Sequence, residues 1–323
     1  MTGQTVSGQT VFRGAAFGLV LESNIPVAGM SSVDAACSAD VYVEMVPDGG
    51  ESAWHQPDRA EPWYRSLDED AGVPWLTVWK GDGYLFEYGE GARFWVSADA
   101  TRIRATWTSP LVAADAATFL LGPVLAFALR LRGTIPLHAS GAVIDGRAVL
   151  FVGPAGAGKS TTAAALGRLG HAVVSDDVVP IDLAGPSVLA RPGYPRLSLW
   201  RDASDAVFGR AGAVPPVSAV YDKRAIDLQA VGVRFSHEPV PIETIFVLGE
   251  RFSGTGTARV PMSRRAGAMA LVANTFGAYL LDRDLRVREF DVVSAAAQRV
   301  TFCELRVGDR LGDVARSCSE LFA

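Results

Sequence analysis

The nine-residue stretch Gly153-Pro154-Ala155-Gly156-Ala157-Gly158-Lys159-Ser160-Thr161 constrains this chain more than any other. It reads G-x-x-x-x-G-K-[ST], and its flanks are the ones such a loop requires. Residues 148–152 are a short apolar run, expected to form a buried strand, and residues 161–169 have helical composition, with Gly170 as C-cap. Glycines let backbone N–H groups turn inward onto phosphate oxygens, and the start of the following helix adds positive potential. The ligands expected here are ATP and Mg²⁺. Gly153, Ala155, Gly156, Ala157, Gly158, Lys159, Ser160 and Thr161 are the candidate nucleotide contacts. Lys159 would reach the β- and γ-phosphates, and the Ser160 hydroxyl would face the metal.

A chain of 323 residues has room for about two domains. A net charge of −5 with no basic tract argues against nucleic acid as a partner, because phosphate-backbone affinity needs a clustered basic face. Residues 116–128, the longest apolar stretch, are read as too short for a membrane span and as a core helix. The first ten residues are polar and lack the pattern of a secretion signal. Cys37, Cys303 and Cys318 have no metal-ligand spacing and fit buried thiols in a reducing, cytoplasmic setting. Only three of the 30 basic residues are lysines, Lys80, Lys159 and Lys223. In a chain that otherwise uses arginine, a lysine marks a place where a compact point charge is wanted. Lys159 has that reason, and Lys223 becomes a candidate on the same ground. Lys80, beside a Gly-Asp-Gly turn, reads as solvated.

The coarse pattern is a mixed α/β chain in two parts. Residues 1–133 form a β-rich N-terminal domain ending in a bridging helix over 111–132, and residues 134–323 form the domain that carries the glycine loop. Strands are expected over 11–21, 39–45, 75–79, 84–87 and 93–97, with a polar loop at 48–72. Six of the seven tryptophans lie in the N-terminal part, where core packing is the expected role. In the second part, 137–144 and 147–152 form a hairpin around Asp145-Gly146. Strands follow at 171–174, 178–183, 196–200, 242–248 and 299–306. Helices are expected over 202–208 with Asp202 as cap, over 262–281 and over 309–322. Loops are expected at 209–222 and 249–257.

Two features flank the loop. Asp176-Asp177 ends a short strand after the loop helix, where a carboxylate facing bound phosphates serves Mg²⁺ or the attacking nucleophile. His138 lies in the outer strand of the hairpin that feeds the loop, which brings it toward the phosphates. Lys223, or an arginine such as Arg196, is the candidate second cation.

The sequence Leu137-His138-Ala139-Ser140-Gly141, the glycine loop, Leu169-Gly170-His171 and Ser175-Asp176-Asp177 in this order resemble the catalytic core of HPr kinase/phosphorylases. The resemblance implies a mixed sheet related to that of ATP-dependent phosphoenolpyruvate carboxykinase. It also implies Asp176 as general base toward a seryl hydroxyl, Asp177 and Ser160 on the metal side, and His138 as an active-site neighbour. The family's E-[IV]-R-G-x-G signature is absent, with only a faint echo at 227–233. The chain therefore looks more like divergent HPr-kinase-like proteins, including kinases of lasso-peptide and other modified-peptide pathways. These share a segment like Gly193-Tyr194-Pro195-Arg196-Leu197-Ser198-Leu199-Trp200 and a lysine like that of Asp222-Lys223-Arg224. The expectation is an ATP- and Mg²⁺-dependent kinase acting on a serine-type hydroxyl of a peptide or small protein. The family's hexamers carry over as an expected homo-oligomer. The alternatives are a non-catalytic nucleotide-binding regulatory module, and a carboxykinase-like or NTP-hydrolysing enzyme.

Overall fold

The computed structural model describes residues 3–6, 9–34, 36–47, 61–66, 74–209, 223–249, 257–308 and 314–322. The chain divides into two compact units, Met1–Arg132 with Gly277–Leu281, and Gly133–Phe276 with Asp282–Ala323.

The first unit is built on β1 (Gly3–Val6), β2 (Gln9–Ala16), β3 (Leu19–Ser23), β4 (Ser31–Ser32), β5 (Val41–Pro47), β6 (Tyr64–Arg65), β7 (Leu76–Lys80), β8 (Gly83–Tyr88), β9 (Ala92–Ser97) and β10 (Arg102–Trp107). They form one sheet in the order β1-β2-β3-β5-β10-β9-β8-β7-β6, with β4 beside β2. Alternation sets its buried face. Val41, Val43 and Met45 are buried while Tyr42 and Glu44 between them are exposed. The strand expected over 11–21 is in fact a hairpin. Phe17 and Gly18 both take positive φ, 59° and 73°, and fold β3 back on β2. Strand β10 was not anticipated.

Helices α1 (Ala113–Phe119) and α2 (Leu125–Leu131) cover the sheet, joined by a π-helical turn at Leu120–Val124. Pro123 lies inside that turn and cannot donate to the helical ladder, which accounts for the widened turn. Phe119 and Phe127 seat the pair, with ring centroids 4.4 Å from Tyr88 and 5.2 Å from Phe86. The span Ala113–Leu131 is long and apolar enough to cross a membrane, which corrects the shorter reading of 116–128, but 67% of its most apolar window is buried in the fold. Phenylalanines rather than tryptophans fill this core. Phe17, Phe86 and Phe94 are fully buried, whereas among the described tryptophans Trp107 alone is buried.

The second unit begins with β11 (Ile135–Ile144) and β12 (Arg147–Val152), the expected hairpin, with Asp145 and Gly146 at φ 49° and 75°. The loop helix α3 (Lys159–Arg168) follows. Next come β13 (Ala172–Ser175), β14 (Val178–Ala184), β15 (Ser187–Ala190), β16 (Arg196–Trp200), α4 (Arg201–Phe208), β17 (Lys223–Asp227), β18 (Val240–Leu248), β19 (Thr257–Pro261), α5 (Arg264–Ala273), α6 (Arg283–Ala297), β20 (Thr301–Val307) and α7 (Val314–Phe322). Pairing runs β12-β11-β14-β15-β18 and returns from β18 to β12, so five strands close on one another. Strands β12, β18 and β20 are mutually parallel, and the remaining pairs in this sheet are antiparallel. The unit is thus of the mixed α/β class.

Three assignments change. Asp202 lies in the first turn of α4 and does not cap it; the N-cap is Trp200. The helix expected over 262–281 stops at Ala273, because Thr275 bridges to Leu137 of β11 and takes the chain out of helical pairing. Helix α6, absent from the sequence expectation, is capped by the Asp282 carboxylate accepting from Leu285 N–H at 3.0 Å. Of the two expected loops, 210–222 and 250–256 lie outside the described residues. Cys37 is exposed and only Cys318 is buried, against the expectation of three buried thiols.

Candidate functional site

The glycine loop leaves β12 at Gly153, whose φ of 146° is closed to side-chain-bearing residues. Gly156 and Gly158 follow at 80° and 104°, and Gly158 is the N-cap of α3. Helix α3 is buried on nearly every side, and its run Ala163-Ala164-Ala165 lets neighbouring elements approach closely. The Lys159 ammonium is folded under the loop. It donates to Gly153 O at 2.8 Å and to Pro154 O at 3.1 Å, and the residue is 6% exposed. Burial lowers its pKa below the ordinary lysine value, while Asp177 and Asp176 pull it back up.

Strand β11 delivers two side chains to the same place. His138 and Ser140 alternate on one face, and the antiparallel register sets His138 opposite Val178. Ser140 Oγ donates to Asp176 Oδ1 at 2.6 Å, and Ser198 N–H donates to Asp176 Oδ2 at 2.8 Å. The Ser160 hydroxyl lies close enough to this carboxylate to favour its ionised form. Asp176 is 6% exposed, and burial raises its pKa against the lowering effect of those donors. Asp177 is different. It turns the chain from β13 into β14 with φ at 66°, a left-handed conformation that Asp tolerates better than most residues. Its Oδ1 stands 3.8 Å from His138 Nε2. The His138 ring stacks on Phe276 with centroids 5.7 Å apart and planes 11° from parallel.

A cavity of about 490 Å³ opens over the loop. Ala155, Gly156, Gly158, Lys159, Ser160 and Thr161 line its floor, and His138, Asp177, Lys223 and Trp200 are among its walls. Gly153 and Ala157 are not on its surface; Gly153 makes the turn out of β12 and Ala157 packs on the core. Asp176, the base implied by the resemblance, does not line the cavity, and each of its oxygens already accepts one hydrogen bond. Arg196 does not reach the cavity, whereas Lys223 does, with Nζ 5.5 Å from the Trp200 ring centroid. The segment 227–233 packs Leu228, Val231 and Val233 against a core cluster and adds nothing to the cavity wall.

Sequence reasoning did not assign roles to Ser140, Ser198, Trp200, Asn274 or Phe276. Ser140 carried a signal, since it follows His138 by one alternation in a strand. Asn274 and Phe276 carried none, because their proximity depends on how α5 ends.

The donor set fits a nucleotide and Mg²⁺. Positive-φ glycines expose amides, Lys159 supplies a buried charge, and Ser160 and Asp177 present hard oxygen atoms. Among the described residues no group of three or more His, Cys, Asp or Glu side chains could hold an ion. Mg²⁺ is commonly bound through one or two side chains together with substrate phosphates. A larger hollow of about 1040 Å³ lies on the first unit's sheet. On its wall Glu22 pairs with Arg13 and Glu44 with Arg104, and Asp82 and Arg102 also line it.

No protein-family model matches this chain, and no curated protein matches it. Among solved structures, the HPr(Ser) kinase/phosphatase from Coxiella burnetii is similar over 58% of this chain and 94% of its own, at 12% identity and a TM-score of 0.31. At that identity and TM-score the reading of the site rests on its own geometry.

Proposed function

We propose that this chain is an ATP- and Mg²⁺-dependent kinase that phosphorylates a serine-type hydroxyl on a peptide or small protein, such as the precursor of a modified peptide. The observation that carries the reading is the convergence of Lys159, Ser160, Asp177, His138 and Lys223 on one cavity of about 490 Å³. A site that only bound nucleotide would need the glycine loop. It would not need a half-exposed carboxylate and an imidazole facing each other above that loop.

In this reading the loop amides and Lys159 hold the triphosphate, and Ser160 and Asp177 hold Mg²⁺, which supplies charge neutralisation when bound. Asp177 also takes the proton of the acceptor hydroxyl. As it does so, the acceptor oxygen bonds to the γ-phosphorus and the bond from that phosphorus to the β,γ-bridging oxygen breaks. His138, neutral at pH 7, orients the Asp177 carboxylate. Lys223, with Trp200 at its side, faces the transferred charge. Asp176, held by Ser140 and Ser198 beside the Ser160 hydroxyl, acts as a positioning residue. The glycine-loop lysine is the sharpest test. Lys159→Ala is expected to abolish transfer from γ-labelled ATP to a serine-containing acceptor, and continued labelling by that variant would refute the site.

A further inference from the structure

The geometry points to Asn274 as a positioning residue that fixes the glycine loop and the His138 strand against each other. This inference rests on reading residues 153–161 as the nucleotide loop.

Asn274 stands just past the end of α5, and every polar group it has is used. Its side-chain Oδ1 accepts the Gly153 N–H at 2.9 Å, and its Nδ2 donates to Ala270 O at 2.8 Å. Its own carbonyl accepts the His138 N–H at 2.7 Å. Its N–H donates back into α5, to Ala270 O at 3.1 Å and Leu271 O at 3.0 Å. The orientation of the amide follows from its partners, because Gly153 N–H can only donate and Ala270 O can only accept.

These bonds act on the reactive groups through short paths. Gly153 is the loop's first residue, and its carbonyl receives the Lys159 ammonium at 2.8 Å. Asn274 on its N–H and Lys159 on its carbonyl pin both peptide planes of a residue whose φ of 146° gives it no side chain to anchor it. On the other side, the Asn274 carbonyl holds the main chain of His138. Two residues on, Phe276 donates its N–H to Pro136 O at 2.8 Å and stacks its ring on the imidazole. One three-residue segment therefore sets the height of the loop through a side chain, and the placement of His138 through a carbonyl and a ring. Neither glycine nor histidine could be held so by its own element alone. Gly153 has no side chain, and His138 lies where β11 has changed partners from β12 to β14.

The test uses the full chain and the variants Asn274→Ala and Asn274→Asp. ATP affinity is measured by equilibrium binding in the presence of Mg²⁺, separately from phosphoryl transfer. Asn274→Ala leaves the Gly153 N–H without its partner and is expected to weaken ATP binding about tenfold, the size of one lost buried hydrogen bond. Asn274→Asp supplies a rescue that depends on pH. Protonated, the carboxylic acid offers one acceptor to Gly153 and one donor to Ala270 O, as the amide does. Ionised, it has no donor and repels the Ala270 carbonyl. Relative to the unsubstituted chain at each pH, Asn274→Asp is expected to bind ATP nearly normally at pH 5 and several-fold more weakly at pH 8. Thermal unfolding of each variant separates loss of fold from loss of position. Unchanged affinity in Asn274→Ala, or an Asn274→Asp deficit that does not vary with pH, overturns the inference. Because binding is read apart from transfer, a chain that binds ATP but labels no acceptor would refute the kinase reading and leave this one standing.

Discussion

Asp177 Oδ1 faces His138 Nε2 across 3.8 Å, while Asp176, its neighbour in the chain, turns the opposite way into hydrogen bonds with Ser140 and Ser198. The positive φ at Asp177 is what parts the two carboxylates. Of the two, only Asp177 reaches the cavity, and the proposed mechanism therefore gives it the acceptor's proton. Asp177→Asn is expected to lower the single-turnover transfer rate by about 10² to 10⁴, the range for loss of a general base. ATP affinity without Mg²⁺ should change by less than about threefold. A transfer rate within about threefold of the unsubstituted chain would rule out that role.

Asp176→Asn should behave differently. The carboxylate accepts from Ser140 Oγ and Ser198 N–H on its two oxygens, and an amide can accept on only one end. With its oxygen kept on Ser198 N–H, its NH₂ would face Ser140 Oγ, which can accept it only by turning its own proton away from its buried acceptor, at a cost of about 1–3 kcal/mol in unfolding free energy. Because the Ser160 hydroxyl lies beside the same group, the Mg²⁺ concentration needed for half-maximal activity should rise. Urea unfolding and a Mg²⁺ titration check both halves. An Asp176→Asn variant with full stability and an unshifted Mg²⁺ requirement would show that the network does not support the loop.

His138 gives the site a pH signature. Burial lowers its pKa below 6.5, Lys159 and Lys223 push it the same way, and Asp177 opposes them. Between that lowered value and 6.5 the unfolded chain binds more protons than the folded one, so stability rises with pH in that window. The contribution is present above pH 6.5 and is lost as pH falls through the folded value. His138→Gln removes the ionisation, and its stability should fall less steeply from pH 6.5 to 5 than that of the unsubstituted chain. Equal slopes in urea unfolding series across that range would contradict the placement of the imidazole.

Much of the second unit was legible because its signals are local. The apolar run of β12, the glycines and the start of α3 follow one another without a gap, and Asp145-Gly146 specifies its turn by backbone conformation alone. Even the pair Asp176-Asp177 was visible as two carboxylates at a strand end. Their opposite orientations were not, because they depend on one φ value and on Ser140 arriving from another strand. Helix α6 escaped notice because charged residues interrupt its apolar face, and Glu289 sits at a buried position where Thr275 Oγ1 hydrogen-bonds it at 3.0 Å. In the first unit, the expected strand over 11–21 reads as one run of apolar and small residues. The reversal at Phe17 and Gly18 has no Asn-Gly or Asp-Gly to announce it.

Gly193 offers a test of how tightly the carboxylate turn is held from behind. Its N–H donates to Val174 O at 2.9 Å, so residues 191–195 lie directly against β13. A Cβ on Gly193 would sit 2.1 Å from Ser175 Oγ and 2.9 Å from Ser175 Cβ, but 3.3 Å from Ser175 Cα. The clash is thus with a side chain that is itself fixed, since Ser175 Oγ donates to Val178 O across the Asp176-Asp177 turn. Gly193→Ala must move either its own segment or that turn, and overpacking of this kind costs about 1–3 kcal/mol. Ser175→Gly removes the two nearest atoms and leaves the 3.3 Å contact with Cα, which a shift of a few tenths of an ångström relieves. Gly193→Ala should therefore cost less stability in a Ser175→Gly background than in the unsubstituted chain, and the same sign of coupling should appear in the transfer rate. Additive losses in a double-mutant cycle would mean that Gly193 is required for its own backbone and not for the position of the carboxylates.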